Sequence, residues 1–288
     1  MVVPRSFGTH DGSFHADEVT ACSLLLLFGL IDKDKVLRTR DTEKLARCEY
    51  VCDVGGVYDP SKKRFDHHQS DYRGNLSSAG MVLQYLRDTH KIDSHLYDLF
   101  HYCLVQGVDA HDNGVARLEP GTATFSQIVS NFLPIEYEAS PEEMEKAFWM
   151  AVDFVLGHLR RKRERFHYTR ECLETVRKAM SGGAGVLIFD AAIPWMDNFF
   201  ELGGEVHPAQ FVIMPSGGHW KLRGIPPSAS DRMKVRHPLP EHWAGLHEED
   251  LQKVSGIPGA VFCHKGRFIS IWETKEDAMT ALRMVLKR

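Results

Sequence analysis

Short runs of β-forming apolar residues alternate with helical patterns along the first third of the chain. The strand patterns cover residues 2–7, 35–39 and 50–53, and the helical patterns cover residues 17–30, 79–89 and 95–108. Strands that alternate with helices are typical of βαβ units, in which parallel strands form one sheet with helices on its faces. The pattern therefore predicts an α/β domain with a parallel sheet at the start of the chain.

A second pattern begins at Ser140, where a helical pattern with proline at its first position continues to about residue 180. A glycine-rich segment, residues 181–185, is expected to end this helix. A closing helix is predicted from Lys275. Between these helices the β-rich segments are residues 186–189, 211–214, 220–225 and 261–271. The second half therefore predicts a smaller C-terminal α+β domain.

The length of 288 residues supports this division, because single domains usually have roughly 100 to 200 residues. We expect an N-terminal domain over residues 1–139, a linking helical segment over residues 140–180 and a C-terminal domain over residues 181–288, with a cleft between the two domains. Ligand sites in open α/β sheets lie outside the carboxyl ends of the strands. The polar clusters that follow the predicted strands are therefore candidates for the functional site.

Composition narrows the class of protein. With 43% hydrophobic and 26% charged residues, the chain is a folded globular protein rather than a disordered one. Its longest apolar stretch, residues 21–31, is about half as long as the roughly 20 residues that cross a membrane. The first residues run directly into a predicted strand and leave no room for a signal peptide, so we expect a cytoplasmic protein without a membrane partner.

Cysteine usage and charge argue against two further classes. The six cysteines form no CxxC pair, which argues against a zinc knuckle or a thioredoxin-type site. The formal net charge of −4 gives no long-range attraction for polyanions, so we expect no binding of long duplex DNA. Residues 158–178 nevertheless contain eight Lys or Arg against three Glu. A solvated helix is the favoured interpretation of this segment, and contact with a nucleic-acid backbone is the alternative.

Histidines beside aspartates mark the candidate chemistry, because divalent metals bind this pair of residue types. The chain has 16 histidines. His10, His15 and Asp17 lie in a glycine-containing loop between the first strand and the first helix, where they can converge on a cation. Helix capping by Asp17 beside two exposed histidines is the alternative, with about equal weight for this motif alone.

Three further clusters follow along the chain. Asp53 ends an apolar strand and precedes two glycines, so its two oxygens can bridge two ions, whereas a turn-forming aspartate is the commoner meaning of such a motif alone. His67 and His68 follow Asp66 on an irregular segment, so one of them can bind a metal while the other meets an anion. Asp109, at the end of a helical pattern, can close the site.

Together the four clusters supply a set of metal ligands without cysteine. This mixture of imidazole and carboxylate suits Mn²⁺, with Co²⁺ or Zn²⁺ as alternatives and Mg²⁺ less suited because of the histidines. Six protein ligands and water are enough for two ions. The candidate ligands are His10, His15, Asp17, Asp53, His67 and Asp109.

In this order, the motifs resemble the DHH phosphoesterase superfamily. The strings GTHDGSFHADE, CDVGG, FDHHQ, SSAG and VDAHDNG, with PLPEHWAGL and VSGIPGAVFCHKGRF near the C-terminus, are more specifically similar to the Myg exonuclease family. That family was long grouped as an uncharacterised protein family, with some members labelled metal-dependent protein hydrolases. The resemblance covers nearly the whole chain.

The resemblance implies two Mn²⁺ ions that share Asp53, which makes this residue central to catalysis. It also implies that His68 faces the phosphate of the substrate, and Asp66 can orient a neighbouring histidine. His15 stands where the superfamily has an aspartate. The remaining ligands would divide between the two ions, with His10 and His15 on the first and Asp17, His67 and Asp109 on the second.

The C-terminal domain is expected to bind the substrate. A glycine-rich segment in it loosely resembles the substrate loop of the superfamily's C-terminal domain, and its backbone amides can bind a phosphate beside a bidentate arginine. A hairpin turn with exposed basic residues is the alternative, with about equal weight. The candidate substrate-binding residues are His68, Gly217, Gly218, His219, Arg223 and Arg236.

The resemblance implies a metal-dependent hydrolase that removes nucleotides from the 3′ end of short RNA, with a water molecule activated by two metals. Two alternatives remain open. A DHH-type enzyme can act on a small substrate, such as pyrophosphate, a cyclic dinucleotide or a nucleotide, and a metal-binding interaction protein can lack turnover. The sequence also leaves the oligomeric state open, with a homodimer as one option.

Overall fold

A five-stranded sheet in the order β2-β1-β3-β5-β4 organises the first part of the chain. Its strands are β1 (Val3–Thr9), β2 (Val36–Arg38), β3 (Cys48–Cys52), β4 (Tyr58–Asp59) and β5 (Arg64–Phe65). β1 pairs in parallel with β2 and β3, β3 pairs in parallel with β5, and only the edge strand β4 is antiparallel. The carboxyl ends of β1, β3 and β5 therefore lie at the same edge of the sheet.

Helices cover this sheet because their apolar faces need burial. The most central is α1, in which every residue except Leu26 is buried. It packs against α3, α5 and α6. The helices of this region are α1 (Ala16–Leu27), α2 (Thr42–Leu45), α3 (Ser78–Asp88), α4 (Ser94–Phe100), α5 (Gln106–Asp112), α6 (Phe125–Ser130) and the long α7 (Pro141–Glu171).

The second part of the chain contains another five-stranded sheet, in the order β6-β7-β8-β10-β9. Only β6 and β7 pair in parallel, and the other pairs are antiparallel. One face buries Trp243 and Trp272, and the other buries Trp195 and Phe199. The elements are α8 (Leu173–Ser181), β6 (Val186–Ile188), α9 (Met196–Glu201), β7 (Phe211–Ser216), β8 (His219–Gly224), α10 (Glu248–Ser255), β9 (Ala260–Cys263), β10 (Ile269–Trp272) and α11 (Lys275–Leu286).

This computed structural model describes residues 1–182 and 185–287. The chain divides into two compact units, Met1–Glu164 and Arg165–Arg288, and the division falls inside the segment that the sequence assigns to a linking helix. Gly183 and Ala184, in the segment expected to end that helix, lie outside the described residues. Across the described ranges, every helix is too short or too polar to cross a membrane.

The predicted fold class, a parallel α/β domain followed by a smaller α+β domain, is confirmed by the two sheets. Several local features differ from the prediction, among them the following two. The helical pattern at residues 95–108 is interrupted by a π-helical turn, His101–Val105, which joins α4 to α5. The short strands β4 and β5 were not predicted, because two-residue strands carry too few side chains for an alternating pattern.

Candidate metal centre

The polar clusters of the sequence meet at one edge of the N-terminal sheet. His10 follows the end of β1, Asp53 follows the end of β3, and the segment from Asp66 to His68 follows the end of β5. Since these strands are adjacent and parallel, the residues after their ends are brought together by the hydrogen bonding of the sheet itself. Asp17, in the first turn of α1, lies at the same edge.

The carboxylate of Asp53 lies at the middle of this cluster and is 4% exposed. Its Oδ2 lies 3.1 Å from Nε2 of His10, and its Oδ1 lies 3.5 Å from Nε2 of His67 and 3.4 Å from Nδ1 of His68. The two oxygens therefore face different histidines. Burial raises the pKa of Asp53, but His10 and His67 lower it more, to about 2.

The backbone at Asp53 is unusual for a residue with a side chain. Its φ of +56° lies in the left-handed region that favours glycine, and Gly55 and Gly56 continue the turn with φ of +97° and +64°. A left-handed aspartate costs roughly 1 kcal/mol, and such strain concentrates at functional sites. The turn lets Asp53 leave the strand direction and enter the cluster.

Asp17 is fully buried, and hydrogen bonds do little to compensate for the burial of its carboxylate. Neither of its carboxylate oxygens accepts a hydrogen bond from an N–H or hydroxyl group of the described residues. Burial, with repulsion from Glu18, Asp53 and Asp112, raises the pKa of Asp17 well above its usual range. Buried polar groups almost always have partners, so two bare oxygens at this position fit a bound cation.

Glu18, the next residue, is also fully buried, and the sequence analysis missed it. Both of its oxygens accept hydrogen bonds of 2.9 Å from the backbone N–H of His15, and its Oε1 lies 3.2 Å from Nε2 of His10. Burial lowers the pKa of His10, but Asp53 and Glu18 raise it more, to about 10. His10 therefore carries a proton at neutral pH in the metal-free protein, and a cation must displace it.

Asp112, at the end of α5, completes the other side of the cluster. Its Oδ2 lies 3.0 Å from Nε2 of His67. Hydrogen bonding to Asp112 and Asp53 raises the pKa of His67 to about 10, against the effect of burial. The two ends of the cluster thus have the same design, a histidine held between Asp53 and a second carboxylate.

The loop that carries the first histidines is held by aromatic packing. The ring of Phe14 is fully buried and meets the ring of Phe148 edge-on, with 5.8 Å between centroids. The guanidinium of Arg38 lies 4.7 Å from the centre of the Phe148 ring and donates to the carbonyl oxygen of Gly12. This anchor fixes the loop between His10 and α1.

Three overlapping groups of side chains can hold a metal ion, and within each group the ligand atoms lie within 4.8 Å of one another. Asp53 belongs to two groups and His15 to two. All donors are nitrogen or oxygen, which fits a cation of the Mn²⁺ type. The groups are His10, His15, Glu18 and Asp53; Asp53, His67 and His68; and His15, Asp17 and Asp112.

The structure does not bring Asp109 to this cluster. Its Oδ1 accepts hydrogen bonds from the backbone N–H and hydroxyl of Ser77, at 3.0 and 2.7 Å, and from the backbone N–H of Gly80, at 3.1 Å. Asp109 therefore stabilises the start of α3. We correct the expected ligand set by placing Asp112, almost one helical turn further on, where the sequence analysis placed Asp109.

Asp66 and His68 form a coupled pair beside the cluster. Asp66 accepts hydrogen bonds from the backbone N–H groups of Gly56 and His68, at 2.6 and 3.1 Å, and its Oδ1 lies 2.8 Å from Nδ1 of His68. The side chain of His68 remains 64% exposed. Asp66 can therefore orient the imidazole of His68, and the prediction that His68 faces a substrate phosphate stays a prediction.

A cavity of about 740 Å³ opens from the cluster, and His68 lines it. Its wall includes Arg40 and the glycine-containing turns at Gly12 and Gly55. Arg40, which the sequence analysis also missed, is two-thirds exposed, and its Nε lies 3.3 Å from Asp11. Its guanidinium can pair with a phosphate bound in the same cavity.

The expected substrate loop of the second unit is a tight hairpin. Gly217 and Gly218 form the turn between β7 and β8, with φ of +58° and +85°, and Nδ1 of His219 lies 3.4 Å from the carbonyl oxygen of Gly217. Arg223 on β8 is half-buried, and its Nε has no hydrogen-bond partner among the described residues.

The structure contradicts the prediction that Arg236 binds a phosphate. Each of its five N–H donors is occupied by a backbone carbonyl oxygen. The guanidinium therefore holds the segments around it together and has no N–H group for a phosphate. The acceptors belong to Gly204, Glu205, His207, Ala209 and Pro226.

A parallel α/β sheet whose strand ends converge on histidines and buried, unpaired carboxylates is typical of metal-dependent hydrolases, and this is the class that the fold and the site define. The model of one family, MYG1_exonuc, described as Uncharacterised protein family (UPF0160), matches residues 6–286. The chain belongs to this family, which confirms the resemblance to the Myg exonuclease family.

Similar proteins occur in bacteria and animals. The MYG1 protein of Chlamydia muridarum is 51% identical over 288 residues, covering 100% of this chain and 99% of the relative. The MYG1 exonuclease of Rattus norvegicus is 33% identical over 330 residues, covering 99% of this chain and 86% of the relative. A crystal structure of RecJ in complex with Mn²⁺ from Thermus thermophilus aligns with this chain at a TM-score of 0.29 and 13% sequence identity. The alignment covers 99% of this chain and 52% of the RecJ chain. That distant likeness says nothing about individual residues.

Asp17→Asn tests whether the bare buried carboxylate serves a cation. The variant relieves repulsion from Glu18 and Asp53, so the metal-free protein should gain about 1 kcal/mol of unfolding free energy. The rise in Tm that Mn²⁺ produces in the parent should disappear. Thermal unfolding with Mn²⁺ and with EDTA measures both, and Asp153→Asn, on the exposed face of α7, is the control. A less stable metal-free variant that still responds to Mn²⁺ would contradict this role.

Asp109→Ala and Asp112→Ala should separate a structural aspartate from a metal ligand. Asp109→Ala leaves backbone N–H groups at the start of α3 without an acceptor, so the unfolding free energy should fall by about 2 to 4 kcal/mol while the folded protein keeps its Mn²⁺ affinity. Asp112→Ala should weaken Mn²⁺ binding at least about tenfold with a smaller loss of stability. Calorimetric titration measures the Mn²⁺ affinity, and chemical denaturation measures the unfolding free energy. The opposite pattern would restore Asp109 to the ligand set.

Proposed function

We propose that this protein is a divalent-metal-dependent phosphodiesterase that removes nucleotides from the 3′ end of short RNA. The observation that carries the proposal is the buried carboxylate of Asp17, with two bare oxygens, beside Asp53, whose oxygens face two separate histidines. A site of this kind would hold two cations, with Asp53 as the ligand shared between them. Mn²⁺ is the proposed ion, because imidazole and carboxylate ligands are mixed.

Family membership supports the nuclease activity. The relatives in Rattus norvegicus and Homo sapiens, 33% and 32% identical to this chain, are both named MYG1 exonuclease. The match extends over 99% of this chain in both cases. We propose single-stranded rather than duplex substrates, since a chain with a net charge of −4 gains little from a long polyanion.

When bound at such a site, divalent cations supply an activated water and electrostatic stabilisation of the phosphoryl oxygens. The ligands proposed for them are His10, His15, Asp17, Glu18, Asp53, His67 and Asp112. Asp53 would be shared between two ions, because its oxygens lie near His10 and near His67 respectively.

The other residues of the cavity bind and orient the substrate. His68 presents an exposed imidazole whose Nδ1 is held by Asp66, and in its imidazolium form the Nε2–H can donate to a phosphoryl oxygen. Arg40 lies in the same cavity wall and can pair with a second oxygen. Phosphoryl transfer requires positioning and electrostatic stabilisation more than covalent chemistry, and these two side chains provide both.

A short single-stranded RNA with a labelled 5′ end tests the proposal. The purified protein with Mn²⁺ should shorten the RNA stepwise from its 3′ end, and EDTA should stop the reaction. Asp53→Asn should lower kcat/KM at least about a hundredfold, because the shared carboxylate loses its charge while its size is kept. Asp153→Asn, at an exposed aspartate outside the metal-binding groups, is the matched control.

Two results would overturn the proposed activity. Immediate appearance of labelled mononucleotide would indicate cleavage from the 5′ end. Intact RNA in the presence of bound Mn²⁺ would exclude the RNA substrate. Pyrophosphate and a cyclic dinucleotide are then the next substrates to assay. Hydrolysis of either would establish the small-substrate alternative, and no turnover of any of them would leave a metal-binding protein without catalysis.

A further inference from the structure

A second cavity, of about 470 Å³, adjoins the metal centre within the first unit. His15 and His68 line both this cavity and the larger one. Asp17, His67 and Asp112 line the second cavity only. His10 and Asp53 line the first cavity only, so a group bound in either cavity would be in reach of proposed metal ligands, on different sides of His15 and His68.

The walls of this second cavity combine apolar and hydroxyl surfaces. Leu133 is a partly exposed apolar residue of the wall, whereas Phe14 and Val108, which also line the cavity, are fully buried. Ser126 and Ser130 of α6 add hydroxyl groups. Apolar walls with a few placed polar groups are typical of small-molecule sites.

α6 presents its serines in a fixed position. The hydroxyl of Thr124 accepts from the backbone N–H of Gln127, and the side chain of Gln127 accepts from the backbone N–H of Thr124. This reciprocal capping fixes the first turn of the helix. The hydroxyl of Ser126, in that turn, is therefore held at one place on the cavity wall.

Ser126 has an unexplained hydroxyl. The residue is 6% exposed, and its Oγ has no hydrogen-bond partner within the described part of the chain. Ser130, on the same helix, donates to the carbonyl oxygen of Gln127 at 2.8 Å, as helical serines commonly do. A buried hydroxyl left without a partner is destabilising, so its position points to a ligand that supplies the missing hydrogen bond.

We propose that this cavity binds the terminal nucleoside of the substrate and that Ser126 hydrogen-bonds a ribose hydroxyl. The inference rests on the proposed function and deepens it, because it makes Ser126 a specificity-determining residue for ribose over deoxyribose. In a nucleotide the sugar is the group joined directly to the phosphate, so it is the first part to enter a cavity beside the metal ligands. The base then contacts Leu133, the partly exposed apolar residue of the cavity wall.

Ribose chemistry fits the unpaired serine. A 2′-hydroxyl both donates and accepts hydrogen bonds, and it is the group by which a protein distinguishes RNA from DNA at one position. Deoxyribose would leave the hydroxyl of Ser126 buried and without a partner. Sites built to hydrogen-bond a substrate hydroxyl reject an analogue that lacks it, because the protein group then remains unpaired.

Binding of AMP and 2′-deoxy-AMP to the Mn²⁺-loaded protein, measured by calorimetry, tests this assignment. The parent should bind AMP about 3- to 10-fold more tightly, as one neutral hydrogen bond provides. Ser126→Ala should bind both nucleotides with the affinity that the parent has for 2′-deoxy-AMP, and its Tm should not fall, because no protein hydrogen bond is lost. Ser94→Ala, an exposed serine at the start of α4, is the matched control and should keep the preference.

A second variant tests the cavity as a whole. Leu133→Trp fills the apolar wall, so it should weaken both nucleotides more than about tenfold while the Mn²⁺-induced rise in Tm stays as in the parent. Undiminished AMP binding by this variant would place the nucleoside elsewhere and overturn the inference.

The outcomes separate this inference from the proposed activity. A parent that does not prefer AMP, or a Ser126→Ala variant that keeps the preference, overturns the role of Ser126 even if RNA is cleaved. A preference for AMP that disappears in Ser126→Ala supports the nucleoside cavity even if the RNA assay finds no cleavage, in which case the proposed exonuclease activity alone fails. Equal weakening of both nucleotides together with a lower Tm would indicate a purely structural serine and overturn the inference.

Discussion

Repulsion among buried carboxylates is the constraint on which the first unit depends. Asp17, Glu18 and Asp53 are all nearly or fully inaccessible to water and lie at one edge of the sheet, with Asp112 beside them. Carboxylates packed together without enough cations are unfavourable. The metal-free protein offsets part of this repulsion by holding protons on two histidines, and metal ions would offset it more completely.

The free energy that holds these charges in place comes from the hydrophobic packing of α1. Asp17 and Glu18 occupy its first turn, and the apolar residues behind them are buried against α3, α5 and α6. Unfolding that turn would expose the rest of the helix to water, so its burial fixes both carboxylates at the sheet edge. Local strain at Asp53 persists for the same reason, because the surrounding sheet and turn determine its backbone.

Local patterns in the sequence were enough to predict the sheet and most of the centre. Strand ends followed by His and Asp are local signals, and parallel pairing then brings His10, Asp53 and His67 together. Glu18 was missed because an acidic residue in the first turn of a helix ordinarily serves the helix dipole. Asp109 and Asp112 stand almost one turn apart, so only the rotation of α5 in the fold decides which of them faces the centre. Arg236 could not be judged from the sequence, since its five acceptors come from distant segments.

The arrangement of cavities on two sides of the centre bears on the size of the substrate. A phosphodiester carries two substituents on phosphorus, and in-line displacement requires room for the leaving group opposite the attacking water. Pyrophosphate would need only the cavity of Arg40 and the glycine turns. The second cavity, with the apolar side chain of Leu133 in its wall, would then serve no part of the substrate. A centre with a cavity on each side is therefore better matched to a nucleotide joined to a chain than to pyrophosphate.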